Sequence, residues 1–170
     1  MKDVCLRAFE KSDLPYLHQW LNDLESIAMI GRLFYSLEET EIFVEKKRKS
    51  GDHLLAIKNS QSQPLGWVHL SKIEHEHGRA EIGILIAPEY RGQGIGRIGM
   101  ELMLDVAFDQ LRLHRVYLTT RAINQRGIAL YQKIGFSIEG YLREHTFIQG
   151  KFYDTIVMGI LSCEWYKKSK

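Results

Sequence analysis

A single mixed α/β domain over residues 1–170 is the architecture expected of this chain, and three observations lead to it. Short apolar segments bounded by turn residues alternate with segments of helical periodicity, as strands and helices packed in layers do. The apolar run at residues 80–87 leads through Pro88-Glu89-Tyr90 into a glycine-rich turn and then a long amphipathic stretch, which is also the strand, turn and helix order of a phosphate cradle. Composition agrees, since 45% hydrophobic and 26% charged residues suit a compact core without disordered character. A net charge of +2 makes no case for nucleic acid as the main partner. Cys5 and Cys163 form no disulfide framework and no metal-ligand spacing, so they read as reduced, partly buried thiols of a cytoplasmic protein. No run approaches the ~18 apolar residues of a membrane span, and the N-terminus lacks the apolar region of a signal peptide.

Residues 4–9 read as a first strand, and Ser12-Asp13 before Leu14-Pro15 as a helix cap with proline in the first turn; that helix ends near Asn22. Ser36 and Glu39 have capping-box spacing for a charged helix running to about Lys49, where Ser50-Gly51 stops it. Between these helices, residues 24–35 show little periodicity, which fits either a mobile loop lining an acceptor groove or ordinary core closure. Residues 53–58 and 64–73 read as successive strands of a meander. Residues 79–87, almost continuously apolar beyond Glu81, suggest a central strand buried on both faces. In the next helix Ile95, Ile98, Leu102 and Val106 share one face while Arg97, Glu101, Asp105 and Asp109 share another. Val116, Leu118 and Thr120 alternate with Tyr117, Thr119 and Arg121 in a further strand. Asn124 can cap a short helix that Gly135 ends in the left-handed conformation, with Phe136 folding back. Two closing strands meet across Gln149-Gly150.

Three nucleotide readings compete for the glycine turn Arg91-Gly92-Gln93-Gly94-Ile95-Gly96. A phosphate-binding NTPase loop needs Lys-Ser or Lys-Thr after its last glycine, whereas Arg97-Ile98 follows Gly96. The dinucleotide spacing Gly94-x-Gly96-x-x-Gly99 is present, but Pro88-Glu89-Tyr90 separates it from its strand. The next strand, moreover, ends at basic Arg121 instead of an acidic residue. That leaves an acyl-coenzyme A pyrophosphate site. Here Arg91-x-x-Gly94-x-Gly96 resembles the Arg/Gln-x-x-Gly-x-Gly/Ala signature of the GNAT superfamily of acetyl-CoA-dependent N-acetyltransferases. A second block, from Asn124 through Tyr131 to Gly135-Phe136, is similar to that superfamily's Asn-x(6)-Tyr-x(3)-Gly-Phe element. Residues 144–154, running on to Glu164-Trp165, resemble the branch containing ribosomal-protein N-terminal acetyltransferases and spermidine acetyltransferases.

The resemblance implies a twisted, largely antiparallel sheet whose middle strands splay around the acyl-CoA arm. It also implies direct transfer of an acetyl group to a primary amine, either a protein N-terminus or a polyamine. Ile84, Leu85 and Ile86 are then expected to offer backbone groups to pantetheine, one N–H also polarising the thioester oxygen. The amides of residues 91–96, continuing to Arg97, are expected to hold the pyrophosphate. Tyr131 is the candidate general acid, although its spacing with Ile128 and Ile134 equally suits a half-buried packing residue. Asn124 is a helix cap, a pantetheine contact, or both. Glu81 is the candidate proton acceptor, with an ion pair to Arg79 as the competing role; His69, His75, His77 and His145 are alternatives. His75-x-His77 falls short of a metal ligand set, so no metal is expected. Glu25, Glu38, Glu39, Glu41, Glu139, Glu144 and Asp154 are available to draw a cationic acceptor, or are solvated surface groups. The expected partners are acetyl-CoA and a small-molecule or peptide amine, with no membrane and with a homodimer left open. A non-catalytic acyl-CoA-binding regulator and a dinucleotide-dependent oxidoreductase are the rival classes.

Overall fold

The computed structural model describes residues 4–30 and 34–168. Seven strands form one sheet in the order β1-β2-β3-β4-β5-β7-β6. They are β1 (Val4–Ala8), β2 (His53–Asn59), β3 (Pro64–Glu74), β4 (Arg79–Ile86), β5 (Arg115–Arg121), β6 (Ser137–Ile148) and β7 (Lys151–Leu161). Every neighbouring pair is antiparallel except β4 and β5. The helices are α1 (Leu14–Leu21), α2 (Leu24–Ile30), α3 (Leu37–Lys49), α4 (Ile95–Asp105), α5 (Gln125–Ile134) and α6 (Ser162–Lys168).

Local chemistry explains most boundaries. Ser36 accepts from the Glu39 N–H at 3.1 Å while Glu39 accepts from the Ser36 N–H at 2.8 Å, closing the expected capping box of α3. Asp13 departs from its expected role: it makes no side-chain cap bond to α1, and its carboxylate accepts from the Glu10 N–H and pairs with Lys58 at 2.8 Å. Gln149 (φ 47°) and Gly150 (φ 82°) form the β6–β7 turn, both with the positive φ that a two-residue hairpin turn matching the strands' twist requires. Two elements were not expected. Residues 24–30 form the short helix α2, not a loop, because Asp23 accepts from both the N–H and the hydroxyl of Ser26 and so starts a helical turn; residues 31–33 of that stretch lie outside the described residues. At the other end of the chain, α6 seats Trp165 in the core, its indole N–H donating to Asp105 at 3.1 Å.

Two apolar clusters flank the sheet. One collects Ile82, Met100, Leu104, Ile128, Ile134 and Trp165, so α4, α5 and α6 cover that face. The other collects Leu17, Trp20, Val44, Trp67 and Leu85 beneath α1 and α3. β4 contributes to both, with Ala80 and Ile82 on one side and Leu85 on the other, as its sequence anticipates. Its ladder to β5 is short. The strands pair only at Arg79↔Arg115, Ala80↔Val116 and Glu81↔Tyr117, although β4 continues to Ile86 and β5 to Arg121. Beyond Glu81 they part, while β5 remains paired with β7 along its whole length.

Candidate active site

The opening between β4 and β5 lies beside the glycine turn. After β4, a 3₁₀ turn at Pro88–Tyr90 reverses the chain. Gly92 (φ 75°) and Gly94 (φ 82°) then take left-handed conformations, and Gly94 is the N-cap of α4. Residues with a Cβ adopt that region at a cost of roughly 1–2 kcal/mol, which is why the spacing demands glycine. Among the described residues, the N–H groups of Gly94, Ile95 and Gly96 donate to no protein group. Unpaired amides at a helix N-terminus, reinforced by its dipole, make an anion site. The Arg91 N–H is the exception to the expected cradle, because it donates to the Pro88 carbonyl at 3.3 Å.

A cleft of about 470 Å³ opens over these amides. It is lined by Ile84, Leu85 and Ile86 of β4, by Arg91, Gly92, Gly94, Gly96 and Arg97, and by Asn124, as the motifs anticipated. Two members of the expected set contribute no side chain to it: that of Ile95 is buried in the core beneath, and the Gln93 side-chain amide donates to the Glu89 carbonyl at 2.8 Å. The cleft also holds residues that the motifs do not mark: Tyr90, Arg126 and Lys133, and Glu25 and Ser26 of α2. Arg126, Leu130 and Lys133 share one face of α5 at helical spacing, a pattern that could have revealed the two cations. No local pattern brings α2 here.

Arg91 explains its arrival. The guanidinium donates to the Ile86 carbonyl at 3.1 Å, Glu25 at 2.7 Å, Asp23 at 2.9 Å and the Ser26 hydroxyl at 2.8 Å. Glu25 also lies 3.9 Å from Arg126. Glu25 is thus paired with cations on the glycine-turn side of the cleft. At the far end of α2, Arg121 of β5 donates to the Ala28 carbonyl at 3.0 Å. α2 thus spans the opening between the two strands, tied to one side by Arg91 and to the other by Arg121.

Asn124 uses both ends of its amide within the protein: it accepts from the Gly127 N–H and donates to the Thr120 hydroxyl, each at 3.0 Å, while still facing the cleft. Tyr131 lies one turn beyond Gly127, outside the cleft lining, and its ring meets that of Phe136 edge-on at 6.1 Å. Gly135 (φ 118°) ends the helix, and the Phe136 N–H donates back to the Tyr131 carbonyl at 3.0 Å. Burial pushes the Tyr131 phenol up to about 12. That keeps the proton on the oxygen throughout the neutral range.

Glu81 does not pair with Arg79, which binds Glu74 at 2.9 Å instead. The Glu81 carboxylate pairs with Lys72 at 2.7 Å and accepts from the Thr119 hydroxyl at 3.4 Å. Register decides this: Ser71 stands opposite Glu81, and Glu74 opposite Arg79. Of the other carboxylates, Glu139 pairs with Arg115 and Asp154 accepts from the Glu144 N–H. His75 and His77 sit in an exposed 3₁₀ turn and His145 is exposed on β6. His69 packs against Trp67 with ring centroids 4.8 Å apart, and burial holds its imidazole down at about 3. Cys5 is half-buried, whereas Cys163 is exposed on α6, contrary to the expected partial burial.

Comparison with known proteins follows the same lines. The family model described as Acetyltransferase (GNAT) domain matches residues 3–137. The chain is 34% identical over 173 residues to the spermidine N(1)-acetyltransferase of Escherichia coli (strain K12), covering 98% of this chain and 90% of that one. It is 31% identical over 100 residues, 59% of this chain, to a putative ribosomal N-acetyltransferase of Bacillus subtilis (strain 168). Among solved structures, the spermidine N-acetyltransferase from Vibrio cholerae in complex with CoA and spermine superimposes with a TM-score of 0.91 at 31% identity, covering 96% of this chain and 98% of that chain.

Proposed function

The chain belongs to the GNAT acetyltransferase family, and from that premise we propose that it transfers the acetyl group of acetyl-CoA directly to a primary amine of a polyamine, as a single unit over residues 1–170. The observation that carries this reading is the parting of β4 and β5 after Glu81↔Tyr117, directly beside a cradle of unpaired helix amides. A parallel ladder that stops leaves the facing edges of both strands without a partner there and makes room for an extended, amide-bearing arm. The amides of Gly94, Ile95 and Gly96 suit a pyrophosphate, with Arg97, Arg126 and Lys133 as surrounding cations. Pantetheine would then run along Ile84, Leu85 and Ile86 beside Asn124.

Acetyl-CoA supplies the thioester; the protein must orient an amine, polarise the carbonyl and manage two protons. A backbone N–H on the unpaired edge of β4 is the group we assign to polarise the thioester oxygen. Glu81, at the last paired position before the opening, is the group we assign to take the proton of the incoming ammonium. Tyr131 is assigned to protonate sulfur as the carbon–sulfur bond breaks. Neither cysteine lies among the residues lining the cleft, which favours direct transfer over an acyl-enzyme. The spermidine acetyltransferase relatives, matched over nearly their whole length, favour a polyamine acceptor.

The test is an amine panel incubated with acetyl-CoA: spermidine, spermine, aminoglycosides, amino acids and short peptides with free N-termini, read by mass spectrometry. Acetylated spermidine or spermine as the dominant product supports the reading. A dominant acetylated peptide would replace the acceptor class, and the absence of any acetylated amine would end the proposal.

A further inference from the structure

β3 carries an irregularity opposite the candidate proton acceptor. Its pairing with β4 runs in register from Gly66↔Ile86 to Ser71↔Glu81 and then skips to Glu74↔Arg79. Lys72 occupies the skipped stretch with φ 49°, a conformation seldom taken by a residue with a Cβ. Bulges of this kind bend a strand and re-aim a side chain. Here the result is an ammonium 2.7 Å from Oε2 of Glu81, on a side chain that is 67% exposed, while the Glu81 side chain is 18% exposed. The neighbouring cations are already neutralised, Arg79 by Glu74 and Arg115 by Glu139. Glu81 therefore already holds a primary ammonium, which is the same group that an acceptor amine brings.

We propose that Lys72 is a specificity-determining residue: an internal ammonium seated on Glu81 that the acceptor must displace, so that it weakens the binding of polycationic amines. The inference rests on the acetyl-transfer reading of this site and names what limits its affinity for the acceptor. Displacement is sterically simple, because the lysine stem is long, flexible and mostly in solvent. The displaced ammonium stays close and repels the further positive charges of a polyamine, an effect that a singly charged amine feels less.

Two neutral variants test it, Lys72→Gln and Lys72→Asn, the second chosen because asparagine tolerates a positive φ. Each should lower KM for spermidine about fivefold, the scale of one exposed ion pair. KM for acetyl-CoA should stay within about twofold, since Lys72 does not line the cleft. Lys72→Arg should behave like the parent. An unchanged or raised spermidine KM in both neutral variants overturns the proposal even if acetyl transfer itself is intact. If the parent acetylates no amine, the functional reading falls and calorimetric binding of spermidine to the CoA-loaded proteins decides this one. Tighter binding by the neutral variants supports it; equal or undetectable binding in all proteins overturns it.

Discussion

Tyr131 carries its assigned role in one oxygen atom. With its phenol pushed up to about 12, it holds a proton well beyond neutral pH, so the alkaline limb of a rate profile should not come from this group. Tyr131→Phe keeps the edge-on contact with Phe136 and removes only the hydroxyl. We expect kcat to fall roughly 10²–10⁴-fold, the usual range for a general acid, with acetyl-CoA affinity unchanged. Thiol release and equilibrium binding measure the two quantities separately, and an undiminished turnover would remove Tyr131 from the chemistry. At Gly94 the constraint is conformational: an added Cβ meets no atom within 4 Å, yet φ is 82°. Gly94→Ala should therefore disturb the amide cradle, raising KM for acetyl-CoA about tenfold at little cost in kcat, since roughly 1.4 kcal/mol of backbone strain corresponds to that factor.

Among the elements, α2 owes its place to Arg91 and Arg121 more than to its own seven residues. Burial of the Asp23 carboxyl opposes ionisation, but the Ser26 N–H, the Arg91 guanidinium and the Ser26 hydroxyl outweigh it and hold the group below its usual value. A carboxyl lowered in this way contributes stability that is present above its unfolded pKa of ~3.9 and is lost as pH falls through the lower folded value. α2 should consequently loosen as the pH falls below about 3.9. Asp23→Asn should speed hydrogen exchange of the α2 amides about tenfold at neutral pH, the worth of one charged hydrogen bond, and abolish their acid dependence. Equal exchange in the two proteins would mean that something other than the Asp23–Arg91 pair holds the helix.

Across the whole molecule, His69 links the sheet to acid stability. Its imidazole is held at about 3, well below the ordinary 6.5, chiefly by burial. The unfolded chain then binds more protons than the fold between those values, so stability declines as pH drops below about 6.5. By this linkage the loss is about 2 kcal/mol at pH 5. Urea unfolding at pH 7.5 and 5 should show it, and His69→Gln should flatten the difference.

Much of the architecture was legible because it is locally encoded. Ser36 and Glu39, Gly94, Asn124 and Gly135 each announce a cap or a left-handed turn within a few residues, and the structure uses each one so. The alternation of Val116 and Leu118 with Tyr117 and Thr119 placed β5 correctly. The list of cleft residues was legible wherever a motif spans a strand, its turn and one helix. It failed for Glu25 and Ser26, which arrive from 65 or more residues away through Arg91. The short helix α6 also went unread, because its one buried anchor, Trp165, finds its hydrogen-bond partner on α4.

The sequence by itself determined the strand–turn–helix unit, its caps and its two-sided central strand, since dihedral demands and hydrophobic period act over a turn or two of chain. Only the tertiary structure decided that β4 and β5 part after Glu81, that Arg91 is spent on α2, and that Glu81 holds Lys72 and not Arg79. Those outcomes follow from strand register, from one bulge in β3 and from which segments lie across the sheet. Such relations depend on packing between distant residues and leave no short-range pattern to read.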